Sequence, residues 1–405
     1  MTNNRIGTLL LVLGLCVTFQ NFTQAQANQY DPETTEELRI RSGLPNFFSK
    51  IANGEKVKVG FIGGSITANS KGKWSGKTFD WLQNEYPNVA FEILNVAVPG
   101  TPAPFGAFRI ASEMLVHNPD IVFIEYRVNG LANQGIRGPE GMVRQIIKNN
   151  PYTDICFVYT INQNMIPKIR ENQQPGVGEI FEEVANYYNL PSIDMGVEVV
   201  KMLDRGDLVF KSKKPVDGKL VFSKDGTHPI ESGAEIYKRV VSRSLKAMEH
   251  NQGKLKRELP KPLDDLSFEF PSIHNIDEVS HSDMWIKIDT TKDASYLSAR
   301  WRTKHVVGDA IATGKIGETL TFNWDGYLLC MSTLPQGDGT VIEVTTDDKE
   351  PEQFVFNQFD EDRYGSQMFY TPVLQNKQHT TTVKVIELPK DAKFYFGQFY
   401  TVKAL

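Results

Sequence analysis

Residues 56–70 read KVKVGFIGGSITANS, a β-branched and apolar run that stops at two glycines and a serine. A strand with one wet face alternates apolar and polar residues, whereas a strand covered on both faces is apolar almost throughout. Four further runs have the second texture: VAFEILNVAV (89–98), DIVFIEYRV (120–128), DICFVYTI (154–161) and, more weakly, LPSIDMG (190–196). Amphipathic stretches between and after them predict helices over 77–86, 106–117, 139–148, 179–188 and 230–250. Strand and helix alternating from 57 to 237 predict an α/β domain, a parallel sheet with helices on both faces.

The stretch NQGKLKRELPKPLDD (251–265) then loses apolar periodicity and gains charge and proline, which is linker composition. Beyond it come MWIKID, SARWRT, TLTFNW, YLLCMST, TVIEVTT, TTTVKVIEL and FYFGQFYTV, separated by Gly, Asp and Pro turns and without a convincing helix. These predict an all-β sandwich. A chain of 405 residues has room for two such domains, assigned as 28–250 and 266–405 with 251–265 between them.

The first 27 residues place Arg5 ahead of an apolar run over 6–17 and end in Ala25-x-Ala27. They predict a secretory signal peptide cleaved near Ala27, and hence a secreted or periplasmic protein with no membrane span. A lipoprotein needs a small residue before its cysteine, and Leu15 precedes Cys16. Only Cys156 and Cys330 remain, one in each predicted domain, so buried free thiols are expected rather than a disulfide framework. Seven scattered histidines with no CxxC or HExxH spacing suggest no metal or other cofactor. A formal charge of -5 lacks the basic excess that phosphate neutralisation requires, which argues against a nucleic-acid partner.

In an open parallel sheet ligands sit outside the carboxyl ends of the strands, so the strand exits are the places to search for chemistry. Ser65 stands at the first exit, after Gly63 and Gly64. This turn has three readings. A phosphate loop wants GxGxxG or GxxxxGK[ST], neither of which occurs; a plain strand-to-helix turn needs only glycine and a cap; a nucleophilic serine needs a base elsewhere. FSKDGTHPIESGAEIY (222–237) offers that base, because Asp225 and His228 are three residues apart at the expected start of the last helix, with Pro229 fitting its first turn. A carboxylate there sets the imidazole tautomer, leaving the other ring nitrogen to take a serine proton. Gly100 in NVAVPGTP and Asn129 in EYRVNG stand at two more exits, where a backbone N–H and a side-chain amide can face a developing oxyanion.

Taken in order, GGSIT, PGTPAPFGAFR, PDIVFIEYRVN and DGTHP resemble the four blocks of the SGNH branch of GDSL-type hydrolases, over about 43–241. RSGLPNFFSKI (41–51) is similar to the lead-in of a secreted bacterial subgroup whose first block reads GGSIT. The resemblance implies a three-layer, flavodoxin-like fold with Ser65 as nucleophile and Asp225 and His228 as acid and base. It also implies an oxyanion hole made by Ser65, Gly100 and Asn129. Family members usually read VND where this chain has Val128-Asn129-Gly130, which puts the rigidity of that loop in question. Arg127 before it is either a strand-end charge in water or a substrate-binding residue for an anionic group. At the Ser65 turn Thr67 stands where a GxSxG elbow needs its second glycine and Ala68 where SxxK needs its lysine, so neither motif of other serine hydrolases fits there.

The reading is therefore an exported serine esterase removing acyl groups, acetyl first, from an acylated glycan. The sandwich would serve polymer recognition and leave the chemistry to the first domain, with Trp301, Trp324 and Tyr327 as candidate aromatic platforms, although such residues are more often core than platform. The alternatives are a non-catalytic glycan-binding protein on the same scaffold and a lipase or thioesterase with the same triad.

Overall fold

The computed structural model describes residues 36–299, 303–357 and 365–404; the signal-like segment and Trp301 lie outside them. The α/β domain runs β1 (Leu38–Arg39), α1 (Pro45–Ala52), β2 (Val57–Gly63), α2 (Trp74–Glu85), β3 (Phe91–Asn95), α3 (Ala103–Glu113), β4 (Ile121–Glu125), α4 (Arg137–Asn149) and β5 (Asp154–Tyr159). It continues with α5 (Ile166–Arg170), α6 (Gly178–Tyr187), β6 (Ser192–Asp194), α7 (Met195–Asp204), the small pair β7 (Leu208–Lys211) and β8 (Leu220–Ser223), and α8 (Glu231–Met248). One sheet has the order β1-β6-β5-β4-β2-β3, parallel except for the antiparallel edge strand β1.

The apolar runs are explained by cover on both faces. Along β2, Val57, Val59 and Phe61 enter one core with α1, α2, α7 and α8, while Ile62 enters a second core with α3, α4 and α6. In β4, Ile121 and Phe123 face the first core and Val122 and Ile124 the second, the period-2 alternation of a strand. The chain leaves β2 for β3 on one side and then crosses to β4 on the other. The crevice that this reversal opens lies outside the carboxyl end of β2, where Ser65 sits.

The second domain is a sandwich of antiparallel sheets. Its strands are β9 (Phe270–His274), β10 (Ser280–His281), β11 (Ile286–Lys287), β12 (Ile311–Thr313), β13 (Thr319–Gly326), β14 (Leu328–Pro335), β15 (Thr340–Thr346), β16 (Glu352–Phe356), β17 (Gln367–Tyr370), β18 (Lys377–Glu387) and β19 (Phe394–Lys403). One sheet is β10-β13-β18-β15-β16 and the other β11-β12-β19-β14-β17, with β9 added on β19. Two short helices, Ala294–Ser298 and Thr303–Val306, interrupt the expected all-strand pattern. Of SARWRT, Ser298 ends the first helix and Thr303 begins the second, so its described residues are not strand; a five-residue and a four-residue helix carry too little periodicity to be legible.

The two domains share one core. Phe108 of α3 stacks on Tyr400 of β19 at 4.8 Å between ring centroids and on Phe268 at 5.3 Å. Val306, Leu328, Cys330 and Val402 belong to the same cluster as Phe105, Met142 and Phe181 of the α/β domain. Stacked aromatic pairs contribute about 0.5–1.5 kcal/mol each beyond the area they bury. The segment 251–265 forms no regular element, as a linker should, yet it is strapped down rather than loose. Arg257 pairs with buried Asp154 at 3.1 Å, Arg144 donates to the Pro260 carbonyl, and Leu263 and Asp264 donate their N–H groups to buried Glu140. Its charges and prolines are partners for the first domain, a use that composition does not distinguish from a solvated tether.

Candidate active site

Ser65 lies in a tight turn directly after β2, closed by the N–H groups of Thr67 and Ala68 donating to the Gly64 carbonyl. Helix α2 begins only at Trp74, so Ser65 does not lie in its first turn. The glycine pair is required by close approach. A Cβ on Gly63 would lie 2.5 Å from the Glu125 carbonyl oxygen, and one on Gly64 would lie 1.9 Å from Asn129 Oδ1. The first and third sequence blocks are thus in van der Waals contact, and Asn129 lies against the residue that precedes Ser65.

The DGTH segment reaches the same place from the far end of the domain. Ser65 Oγ is 2.8 Å from His228 Nε2, and His228 Nδ1 is 2.7 Å from Asp225 Oδ2. An ionised carboxylate only accepts, so Nδ1 carries the proton it donates to Asp225 and Nε2 is left to accept from Ser65. The other carboxylate oxygen, Asp225 Oδ1, accepts from the Thr227 and His228 N–H groups at 2.8 Å each and from Ser223 Oγ at 2.9 Å. Partial burial pushes the Asp225 carboxyl up, but the His228 ring and backbone, Thr227 and Ser223 outweigh it and hold the group well below the usual carboxylate range. The side chains of His228 and Asp225 are 45% and 54% exposed, so the relay stands open to a substrate.

Helix α8 begins at Glu231, with Ile230 as its N-cap, so Pro229 lies before the first turn rather than in it. Pro229 instead bridges to Ser223, while the Gly226 carbonyl accepts from the N–H of Gln163. These two contacts hold the DGTH loop against β8 and the β5 exit. Ser223 was not singled out from sequence. Its hydroxyl also accepts from the Gly226 N–H at 3.0 Å, and the only available signal is a serine two residues before an aspartate in a turn-rich stretch.

Gly100 has φ +66° and lies in the turn after β3, which is tied to β2 by Val98 N–H donating to the Gly63 carbonyl. The loop bearing Asn129 is held by backbone hydrogen bonds on both sides. The Tyr126 carbonyl accepts from both Asn129 and Gly130, Gly130 takes φ +80°, and its carbonyl accepts from Ala103 at the start of α3. Only glycine adopts that backbone routinely. Asn129 Oδ1 is buried without a hydrogen-bond partner among the described residues. A cavity of about 280 Å³ adjoins Gly100, Thr101, Pro102 and Ala132 and is lined also by Gln367 and Met368 of β17.

Arg127 is not a substrate-binding residue. Its side chain is fully buried, with Nη1 and Nη2 bonded to Asp194 at 2.5 and 2.7 Å and Nε donating to the Thr160 carbonyl. A strand-end arginine is expected to point to water or substrate; here it turns under the loop, where a bidentate carboxylate compensates its charge. The platform candidates move inward too. Trp324 is 3% exposed with Nε1 bonded to Thr381, and Tyr327 is wholly buried with its hydroxyl donating to the Leu266 carbonyl. Cys156 and Cys330 are free and buried, and burial pushes both thiols up. Among the described residues no helix is long and apolar enough to cross a membrane.

No protein-family model and no curated protein matches the chain. Solved structures do. A two-domain esterase (CEX) active on acetylated mannans, co-crystallised with mannopentaose, aligns over 88% of this chain and 93% of its own at a TM-score of 0.72 and 18% identity. A second structure of that esterase aligns over 94% of its chain at the same TM-score. An acetyl xylan esterase, AlAXEase, aligns over 46% of this chain and 99% of its own, at a TM-score of 0.38 and 17% identity. At 18% identity the likeness to the two-domain esterase establishes the fold, an α/β domain followed by a β-sandwich.

Proposed function

We propose that the chain is an exported serine esterase that removes acyl groups, acetyl foremost, from a polysaccharide or oligosaccharide. The observation that carries this reading is the continuous relay from Ser65 Oγ through His228 to Asp225, at 2.8 and 2.7 Å, in an open crevice at the switch point of a parallel sheet. The shared fold with an esterase active on acetylated mannans supports the choice of substrate class.

In this mechanism Ser65 Oγ attacks the ester carbonyl carbon as its proton passes to His228 Nε2. The negative oxygen rests against the N–H groups of Ser65 and Gly100 and the amide of Asn129. Collapse of the adduct breaks the bond to the sugar oxygen, which takes the proton back from His228 and leaves as a free hydroxyl. Water then loses a proton to His228 and attacks the acyl-serine, and the carboxylic acid departs as Ser65 regains its proton. Asp225 remains ionised throughout and stabilises the transient imidazolium. Export follows from the Arg5-to-Ala27 segment, and N-terminal sequencing of the processed protein is expected to begin near Asn28. The deciding experiment measures acetate released from a panel of acetylated polysaccharides. Wild type releases acetate from at least one member and Ser65→Ala from none; equal release by the two overturns the assignment.

A further inference from the structure

We propose that Glu125 is the positioning residue of the nucleophile turn, joining the first and third sequence blocks through Thr67 and fixing where Ser65 and Asn129 stand. This rests on the serine-esterase reading. Glu125 is the last residue of β4, wholly buried, and pairs in parallel register with Gly63 of β2. Its two oxygens are used separately. Oε2 accepts from Thr67 Oγ1 at 2.8 Å, and Oε1 accepts from Thr160 Oγ1 at 2.6 Å. The Gly64 N–H also favours the charged form of the same carboxylate, although burial outweighs these partners and pushes the group up.

Thr67 has no slack in this arrangement. Its hydroxyl donates to Glu125 and accepts from Trp74 Nε1 at 3.1 Å, and its carbonyl accepts from Asn95 Nδ2 and Ser75 Oγ. Ser65 is two residues before it, and Gly64 is pressed between Ser65 and the Asn129 amide. On the other side Thr160 offers its hydroxyl to Glu125 and its carbonyl to Arg127, two residues before Asn129. One buried polar layer, Thr67, Glu125, Thr160, Arg127 and Asp194, therefore runs beneath both the nucleophile and the oxyanion loop. A carboxyl is costly to bury unless its oxygens are matched, and these are matched to groups that set the site's geometry.

Displacing reacting atoms by about 1 Å costs rate by up to about 10²-fold. On nitrophenyl acetate, Glu125→Gln, which keeps one acceptor, is expected to lower kcat about 10-fold, and Glu125→Ala about 10²-fold, with KM within about twofold. Thr67→Val should match Glu125→Gln, and the double variant should cost less than the product of the two because both break one contact. The rate of Ser65 labelling by a fluorophosphonate should fall in step with kcat. Glu140→Gln is the matched control: Glu140 is equally buried, held by the Tyr188 hydroxyl and the Leu263 and Asp264 N–H groups, and this variant should lower the melting temperature while kcat holds. Wild-type kcat in folded Glu125→Gln and Thr67→Val overturns the proposal, whether or not Glu125→Ala folds. So does a kcat loss in Glu140→Gln equal to that in Glu125→Gln. Activity surviving in Ser65→Ala is a different result, and it overturns the nucleophile assignment itself.

Discussion

Strand β4 of the parallel sheet and strand β14 of the sandwich are both buried along their whole length, yet only β4 ends beside the candidate site. β4 lies between two helical layers, and its carboxyl end opens beside Ser65, where Glu125 and Arg127 stay buried beneath the crevice and Asn129 lies against Gly64. β14 is sealed by the second sheet on one face and by α3 on the other, and its polar residues Ser332 and Thr333 stay inside. Burial of a strand therefore says little about function. What matters is whether its end emerges where neighbouring strands diverge.

The contrast breaks most completely at Ser65. Ser65→Ala should lower nitrophenyl acetate turnover by roughly 10⁴-fold or more with the circular dichroism spectrum unchanged, because a single hydroxyl carries the attack but contributes little packing. Turnover within tenfold of wild type would move the chemistry elsewhere. On the buried side, Phe108→Ala should destabilise the whole protein by about 3–5 kcal/mol, since its ring is shared by both domains. A chain ending at Lys261 should for the same reason lose cooperative melting rather than survive as an active first domain, against the expectation from linker composition. A sharp melting transition in that truncated chain would mean that the interface contributes less than its aromatic stacking implies.

Asn129→Ala should reduce kcat by about 10²–10³, the range for one oxyanion donor, with KM little changed. A loss below threefold would show that the amide packs on Gly64 without facing the substrate. The smallest effect concerns pH. Turnover should fall on acidification along a limb that follows a single ionisation, since only a neutral base can accept the serine proton. Asp225 does not add a second one, because its folded-state ionisation lies below the ordinary carboxylate range. The same depression stabilises the fold above the unfolded-state carboxyl pKa of about 3.9, and this contribution is lost as pH falls through the lower folded value. An acid limb with a slope of two in a pH–rate profile would contradict this.

Much of the arrangement was legible from local pattern. The five apolar runs mark five parallel strands, the helices after them lie within a few residues of their expected bounds, and Asp225 and His228 meet across a three-residue spacing that one turn spans. Side-chain direction was not legible. The sequence places Arg127 toward water or substrate and leaves Trp324 and Tyr327 open between core and platform, and each is interior because a second layer covers the face on which it stands. Helix α7 escaped notice because it follows β6 without a loop, so Met195 ends one apolar run and begins another.

By itself the sequence determined five strands of the parallel sheet and the main helices between and after them, the class of each domain and the candidates for nucleophile, base and orienting acid, since these depend on periodicity and on spacings within one turn. Only the tertiary structure decided that Ser65 and His228, 163 residues apart, come within 2.8 Å, that Gly64 admits no side chain, and that the second domain closes on α3 rather than hanging from a tether. Those outcomes depend on strand order and on what covers each face, and both are set by packing between segments whose separation along the chain carries no signal of their contact.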